Sequence, residues 1–118
     1  MIRVLARKNG DVSVLDCGGE VDLHSSTRLR EALVKETDDH VPALLVNLTD
    51  VSYIDSSGIA TLLEGLQLSK KAQTRLGLYG LRKNALDVLK LARLETVFPI
   101  FETEQEAVKK ITEPWVGF

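Results

Sequence analysis

The sequence has little of what several classes of protein require. Its single cysteine, Cys17, cannot form a disulfide within the chain, which is typical of proteins in a reducing cytosol. Its uninterrupted apolar runs are far shorter than the roughly 20 residues that a membrane-spanning helix needs. The N-terminus, M-I-R-V-L-A-R-K-N-G, lacks the apolar centre and the cleavage site of a secretion signal. We therefore expect a cytoplasmic protein without a membrane span.

An excess of charge of one sign and the common nucleotide and metal motifs are also missing. The 15 basic and 17 acidic residues give a formal net charge of -2, and no basic stripe favours nucleic acid as a partner. Neither the phosphate loop G-x-x-x-x-G-K-[ST] nor the dinucleotide pattern G-x-G-x-x-G occurs. One cysteine and no paired histidines at ligand spacing argue against a metal site. No metal or cofactor is expected.

A serine hydrolase needs a histidine base near its nucleophile, and the chain has two histidines. His24 stands at a predicted helix entrance, from which it could approach Ser56, and His40 stands at a predicted, exposed helix exit. The sequence D-S-S-G at residues 55–58 differs from the G-x-S-x-G elbow of hydrolases. The sequence therefore predicts a protein that is not an enzyme.

The chain begins with the pattern of an antiparallel hairpin. Apolar and other residues alternate over residues 2–8, which predicts a half-buried strand. Asn9-Gly10 follows and is a preferred pair for a two-residue hairpin turn. The returning strand runs from Val12 to Cys17, and we expect Gly18 and Gly19 to end it.

Beyond the hairpin, helical and strand patterns alternate. They predict strands at 43–48, 75–80 and 97–101 and four helices, which follow the hairpin and each of these strands. The strand at 43–48 is apolar enough to be covered on both faces. In the strand at 97–101, Pro99 favours a position at the edge of the sheet. This order predicts an α/β fold with a mixed, mostly parallel sheet, an N-terminal antiparallel hairpin and about four helices.

The chain length suits one domain, which we place at residues 1–118. The tail, residues 112–118, carries Trp115 and Phe118. We expect these aromatic residues to pack back on the domain, and a contact with a partner or with a second copy is the alternative.

The stretch Y-I-D-S-S-G-I-A-T-L-L, residues 53–63, connects the predicted central strand to an apolar helix. Ligands and partners of open α/β sheets meet the loops at the carboxyl ends of the strands. D-S-S-G at 55–58 is such a loop, and Asp22 should lie at the same edge. Helix capping by a serine or by Asp55 explains the motif without a function. Loop solvation and capping likewise explain the carboxylates of Asp22, Asp50 and Asp55 better than a cation site does.

Residues 44–66, L-L-V-N-L-T-D-V-S-Y-I-D-S-S-G-I-A-T-L-L-E-G-L, resemble the signature of the STAS domain. Sulphate transporters share that domain with bacterial anti-sigma factor antagonists. Residues 18–33, G-G-E-V-D-L-H-S-S-T-R-L-R-E-A-L, are similar to a second block of the family. The resemblance extends over about residues 12–111 and implies a single STAS-type domain.

The resemblance to the stand-alone antagonists implies a regulatory module that binds an anti-sigma factor and thereby releases a sigma factor. That partner is also a serine kinase, which itself binds ATP and magnesium, and a phosphatase resets the switch. Matching positions imply Ser56 as the phosphate acceptor, with Ser57 as the runner-up. They imply Asp22, Asp55, Ser57 and Gly58 as partner-binding residues. The phosphorylated antagonist lets its partner go.

The expected geometry of the motif is specific. A phosphate on Ser56 should meet free N–H groups and a favourable dipole at the start of a helix. Asp22 and Asp55 oppose it, so we expect the two effects largely to cancel. Gly58 should lie at the surface, where its missing side chain leaves room for a partner, and relaxation of a tight turn explains it equally well.

A second function is also compatible with the resemblance. Residues 77–84, G-L-Y-G-L-R-K-N, depart from the commoner serine-proline-like entry to the third helix, which leaves the identity of the partner open. The alternative is a soluble STAS subunit of a transport system, such as a lipid-transport ATPase complex. The domain would then be a structural partner, and Ser56 would only cap a helix.

Overall fold

The computed structural model describes residues 2–113, which form five strands and four helices. In chain order these are β1 (Arg3–Asn9), β2 (Val12–Val21), α1 (Ser26–Asp38), β3 (Ala43–Ile54), α2 (Ser56–Ala72), β4 (Arg75–Tyr79), α3 (Lys83–Leu91), β5 (Ile100–Phe101) and α4 (Glu104–Thr112). The strands form one sheet in the order β1-β2-β3-β4-β5, in which β1 and β2 are antiparallel and the other neighbours are parallel. The predicted α/β fold is confirmed.

The central strand, β3, is covered on both faces, as its apolar sequence predicts. On one face Leu44, Val46 and Leu48 pack in a core that α1, α2 and α3 also form. On the other face Ala43 and Leu45 pack against α4. Because successive side chains of a strand point to opposite faces, one short run supplies both cores. None of the helices in residues 2–113 has the length and apolar character needed to span a membrane.

The hairpin turn lies one residue later than the sequence predicts. Asn9 pairs with Val12, so the two turn residues are Gly10 and Asp11. Gly10 takes the positive φ of the turn, 61°. A two-residue turn with glycine first suits the right-handed twist of the flanking strands, and Asn9 therefore remains in β1.

The strand β2 continues to Val21 and does not end at Gly18 and Gly19, as we predicted. Its pairing with β3 shifts register twice around these two glycines. Gly19 has a φ of 93°, which a glycine adopts without strain. The glycines thus produce irregularities within a continuous strand, and the strand ends directly before Asp22.

The last strand, β5, lies at the edge of the sheet, as Pro99 predicts, but contains only two residues. The carbonyl of Pro99 accepts a hydrogen bond from the N–H of Leu78 (2.9 Å). Since proline has no N–H, it cannot extend the ladder as a donor. The predicted packing of Trp115 and Phe118 falls outside the described residues.

Candidate functional site

The loops that follow β2 and β3 are neighbours at the carboxyl edge of the sheet. The last residues of these strands, Val21 and Ile54, are paired in register. The N–H of Asp55 donates to the carbonyl of Val21 (3.1 Å), which fastens one loop to the other. Residues 22–25 and 55–58, here named the paired loops, therefore share one edge, as the sequence predicts.

The Asp55 carboxylate caps α2. Its Oδ1 atom accepts the backbone N–H groups of Ser57 (2.9 Å) and Gly58 (3.2 Å) and the Ser57 hydroxyl (2.5 Å). The Ser57 hydroxyl makes the largest contribution to holding the pKa of Asp55 below its usual value, and the Leu23 backbone N–H also contributes. The capping interpretation is confirmed for Asp55, and neither serine serves as the cap.

The two adjacent serines differ in their surroundings. Ser57 is half-buried, and its hydroxyl is bound to Asp55. Ser56 is the first residue of α2 and is exposed, on the same outer stripe as the exposed Ala60 and Gln67. Its hydroxyl makes no hydrogen bond to any of residues 2–113. Of the two hydroxyls, the one on Ser56 can therefore react without breaking a contact of the domain.

In the other loop, Ser25 holds Asp22 in place. The Ser25 hydroxyl lies 2.7 Å from the Glu20 carbonyl and 3.1 Å from Oδ1 of Asp22, and it accepts the Asp22 N–H (2.9 Å). The N–H groups of His24 (3.0 Å) and Ser25 (3.1 Å) donate to the same Oδ1 atom. Partial desolvation raises the pKa of Asp22, but these hydrogen bonds outweigh it, so the pKa lies below its usual value.

Ser25 stands directly before a helix, where a serine side chain often caps the first N–H groups. It does occupy the N-cap position of α1, but its side chain makes no hydrogen bond to the N–H groups of that helix. Its hydroxyl turns back into the loop, because the Glu20 carbonyl and the Asp22 carboxylate lie there. The spacing of serine three residues after aspartate is the signal that could have indicated this role.

The surface position expected for Gly58 is wrong, because this residue is buried. A Cβ atom there would lie 2.6 Å from Cγ1 of Ile54 and 3.0 Å from the Val21 carbonyl oxygen. Gly58 also lies within α2 and has no positive φ, so a tight turn does not explain it. Glycine is required here because α2 starts in close contact with the ends of β2 and β3.

Two other candidate residues, Asp50 and His24, make no hydrogen bond to Ser56. Asp50 lies within β3, opposite Gly18, and not in a loop. His24 is exposed, and its imidazole forms no hydrogen bond to any described residue, Ser56 included. Residues 2–113 contain no group of three His, Cys, Asp or Glu side chains that could hold a metal ion. The paired loops therefore contain the exposed hydroxyl of Ser56 and two carboxylates, those of Asp22 and Asp55, that hydrogen bonds hold in place.

Sequence reasoning missed two side chains that attach the start of α3 to β3. The Nε atom of Arg82 donates to the Thr49 carbonyl (3.1 Å), and the Asn84 amide donates to the Ser52 carbonyl (3.0 Å). The pairing of β3 with β4 has ended before these residues. The two side chains therefore connect residues 80–84 to the strand that leads into the paired loops.

The fold and the D-S-S-G loop define the class of this protein. The family model of the STAS domain matches residues 3–107, and the chain belongs to that family. It is 27% identical over 108 residues to the anti-sigma-B factor antagonist of Bacillus subtilis, covering 92% of this chain and 98% of that protein. It is 27% identical over 88 residues to the anti-sigma-B factor antagonist of Listeria monocytogenes, covering 75% and 77% of the two chains. The crystal structure of an anti-sigma factor antagonist from Mycobacterium paratuberculosis is similar with a TM-score of 0.88, at 25% identity over 96% of both chains.

Proposed function

We propose that this STAS domain is an anti-sigma factor antagonist that a serine kinase switches off by phosphorylating Ser56. In the unmodified state, its paired loops bind an anti-sigma factor, and the sigma factor is released. The same partner is the kinase, which binds ATP and magnesium, and a phosphatase resets Ser56. The domain acts as a binding module of the cytoplasm and not as an enzyme.

The contrast between the two serines of the paired loops carries this proposal. Ser56 is exposed with an unbonded hydroxyl, whereas the hydroxyl of Ser57 donates to Asp55. A kinase must align the accepting oxygen with the phosphoryl group that it transfers. The Ser57 hydroxyl could be aligned only if it left Asp55 and loosened the start of α2. Ser56 is therefore the acceptor, and Ser57 belongs to the helix cap.

The surroundings of Ser56 also suit a protein partner. Leu23, within the paired loops, exposes 73% of its surface, and Tyr53, just before them, exposes 47%. Apolar and aromatic side chains of this kind form the centres of protein interfaces. Asp22 and Asp55 add negative charges whose positions are held by hydrogen bonds. The names of the curated relatives support an anti-sigma factor as this partner.

Phosphorylation opposes binding by repulsion and desolvation at the interface. A phosphoserine adds about -1.5 to -2 charges near neutral pH. A complex weakened a hundredfold has lost about 2.7 kcal/mol of binding free energy. A phosphate that is buried in an interface without full pairing is costly enough to produce such a loss. The switch therefore requires no refolding.

Incubation with the cognate anti-sigma factor kinase and ATP, followed by mass spectrometry of the digested protein, tests the proposal. We expect one phosphate on Ser56. The phosphorylated protein should bind the anti-sigma factor more weakly than the unmodified protein does. The Ser56→Ala variant should remain unmodified, whereas the matched Ser57→Ala variant should still be modified at Ser56. A phosphate on Ser57 of the wild type, or binding that phosphorylation does not weaken, would contradict the proposal.

A further inference from the structure

We infer that the carboxylates of Asp22 and Asp55, together with the small number of unoccupied donors around Ser56, make the phosphorylated domain less stable than the unmodified one. This inference rests on the proposed function in taking Ser56 as the acceptor. It reverses the expectation from the sequence, in which free N–H groups of α2 offset the acids.

Most N–H groups at the start of α2 already donate hydrogen bonds. An anion binds at a helix start because the first N–H groups have no partner within the helix. Here the N–H groups of Ser57 and Gly58 donate to the Asp55 carboxylate. The N–H of Ile59 donates to the Asp55 carbonyl (3.0 Å), and that of Asp55 itself donates to Val21. Of the N–H groups of residues 55–59, only that of Ser56 makes no hydrogen bond among residues 2–113, so one free donor stands where several were expected.

The donors of the other paired loop are turned toward Asp22. Its carboxylate accepts the N–H groups of His24 and Ser25, and the Ser25 hydroxyl is shared between Asp22 and the Glu20 carbonyl. The N–H of Ser26 donates to the Asp22 carbonyl (2.8 Å). The loop thus presents a negative charge to the phosphate and no unused donor among these groups.

The cations near the starts of α1 and α3 have partners elsewhere. In α1, Arg28 donates to the Val4 carbonyl (3.2 Å) and Arg30 is paired with Glu64 (2.7 Å). Before and within α3, Arg82 donates to Thr49 and Lys83 is paired with Asp87.

Within the paired loops, the one ionisable cation is the exposed His24, beside Asp22. The charged groups of the paired loops and of the strand ends that lead into them are His24, Glu20, Asp22 and Asp55. Their sum is negative whether or not His24 carries a charge.

Two consequences are measurable. Neighbouring negative charges favour the monoanion of the phosphate, so they raise its second pKa above the ordinary value of about 6. A group whose pKa is higher in the folded than in the unfolded protein loses its contribution to stability as the pH rises through the folded value. The phosphorylated domain should therefore lose stability, relative to the unmodified one, as the pH rises past about 6. Added salt should reduce the loss, because the charges are exposed.

Phosphoserine installed at position 56 of the full chain by genetic encoding allows a test without any kinase. Phosphorus NMR titration should show a second pKa at least about half a unit above that of phosphoserine in the urea-unfolded chain. Thermal unfolding at low salt should show a lower midpoint than the unmodified protein at alkaline pH, and a smaller difference at acid pH. A phosphate pKa equal to or below the unfolded value, or an unchanged or higher midpoint, would overturn the inference.

Charge-neutral variants identify the groups responsible. Asp55→Asn removes the charge and keeps an acceptor that caps helices about as well as aspartate does. In the phosphorylated protein, Asp55→Asn should lower the phosphate pKa. It should also reduce the difference in thermal unfolding midpoint between the phosphorylated and the unmodified protein. Asp50→Asn, an exposed acid of β3 outside the paired loops, is the matched control and should change both less. Equal effects of the two variants would contradict the role of Asp55. Modification of another residue by the cognate kinase would overturn the proposed function but would leave these measurements valid.

Discussion

The Ser57 hydroxyl donates to Oδ1 of Asp55 across 2.5 Å, and the same oxygen also accepts the backbone N–H groups of Ser57 and Gly58. One carboxylate oxygen therefore organises the start of α2. Three residues of D-S-S-G are used by the fold: Asp55 as the cap, Ser57 as its donor, and Gly58 as the point of close packing. Ser56 is the residue that remains available to another molecule.

Removing the Ser57 hydroxyl should make the ionised form of the Asp55 carboxyl group less stable. Because this hydroxyl is the largest cause of the lowered Asp55 pKa, Ser57→Ala should raise that pKa toward its usual value. Titration of the Asp55 carboxyl carbon by NMR measures the change. Ser52→Ala is the control, since the Ser52 hydroxyl is directed to the Gly19 carbonyl (3.3 Å). An Asp55 pKa that is the same in Ser57→Ala and in the wild type would contradict the assignment.

Two glycines of α2 should respond differently to alanine. A Cβ atom on Gly58 meets the Val21 carbonyl oxygen at 3.0 Å and Ile54 at 2.6 Å, and the strand backbone cannot move easily. We expect Gly58→Ala to lower the free energy of unfolding by about 1–3 kcal/mol, as overpacking does. Urea unfolding measures it.

Gly65→Ala is the matched control in the same helix. There the three atoms nearest the Cβ atom all belong to the Leu33 side chain, the closest at 2.8 Å, and the δ methyl groups of leucine can rotate away. Alanine is also better than glycine in a helix by about 1 kcal/mol. Gly65→Ala should therefore change stability much less, and an equal loss in both variants would show that backbone contact is not the cause.

Glu104 should account for part of the sensitivity of the fold to acid. Its carboxylate binds Arg7 (2.6 Å), Asn9 (2.8 Å) and the Tyr79 hydroxyl (2.9 Å), and so joins α4 to β1 and β4. The Arg7 guanidinium is the largest cause that lowers the pKa of Glu104 from 4.5 to about 2. The stability that this ionised group contributes is present above pH 4.5 and is lost as the pH falls through about 2.

The free energy of unfolding of the Glu104→Gln variant should therefore depend less on pH than that of the wild type between pH 4.5 and 2. Urea unfolding at several pH values in this window measures the difference. Glu106→Gln, which changes an exposed acid of the same helical turn without an ion pair among residues 2–113, is the control. If the free energy of unfolding fell equally with pH in the wild type and in Glu104→Gln, the role of Glu104 would be contradicted.

Sequence patterns predicted the elements and their order because those properties are local. The apolar run at 43–48 has the composition of a buried strand, and it lies at the centre of the sheet. Pro99 limits pairing wherever it stands, and β5 is short and at the edge. The two family blocks predicted the family, which the match to residues 3–107 confirms. The choice of Ser56 as acceptor remains a prediction from that resemblance.

Local patterns were misleading at three glycines whose surroundings come from distant segments. Gly18 and Gly19 are typical of the end of a strand, but β2 continues because its pairing with β3 supplies partners up to Val21. Gly58 follows two serines, as in a surface loop, but it is buried where α2 lies against the ends of β2 and β3. Neither outcome depends on the residue alone.

The sequence by itself determined the periodicities and the position of D-S-S-G between a strand and a helix, since each depends on neighbours along the chain. Only the tertiary structure decided which donors of that helix are occupied and which of the two serines is free. Those properties depend on the register of β2 against β3 and on the distance between α2 and both strands. Contacts between segments some 30 residues apart set them, and no local pattern encodes such contacts.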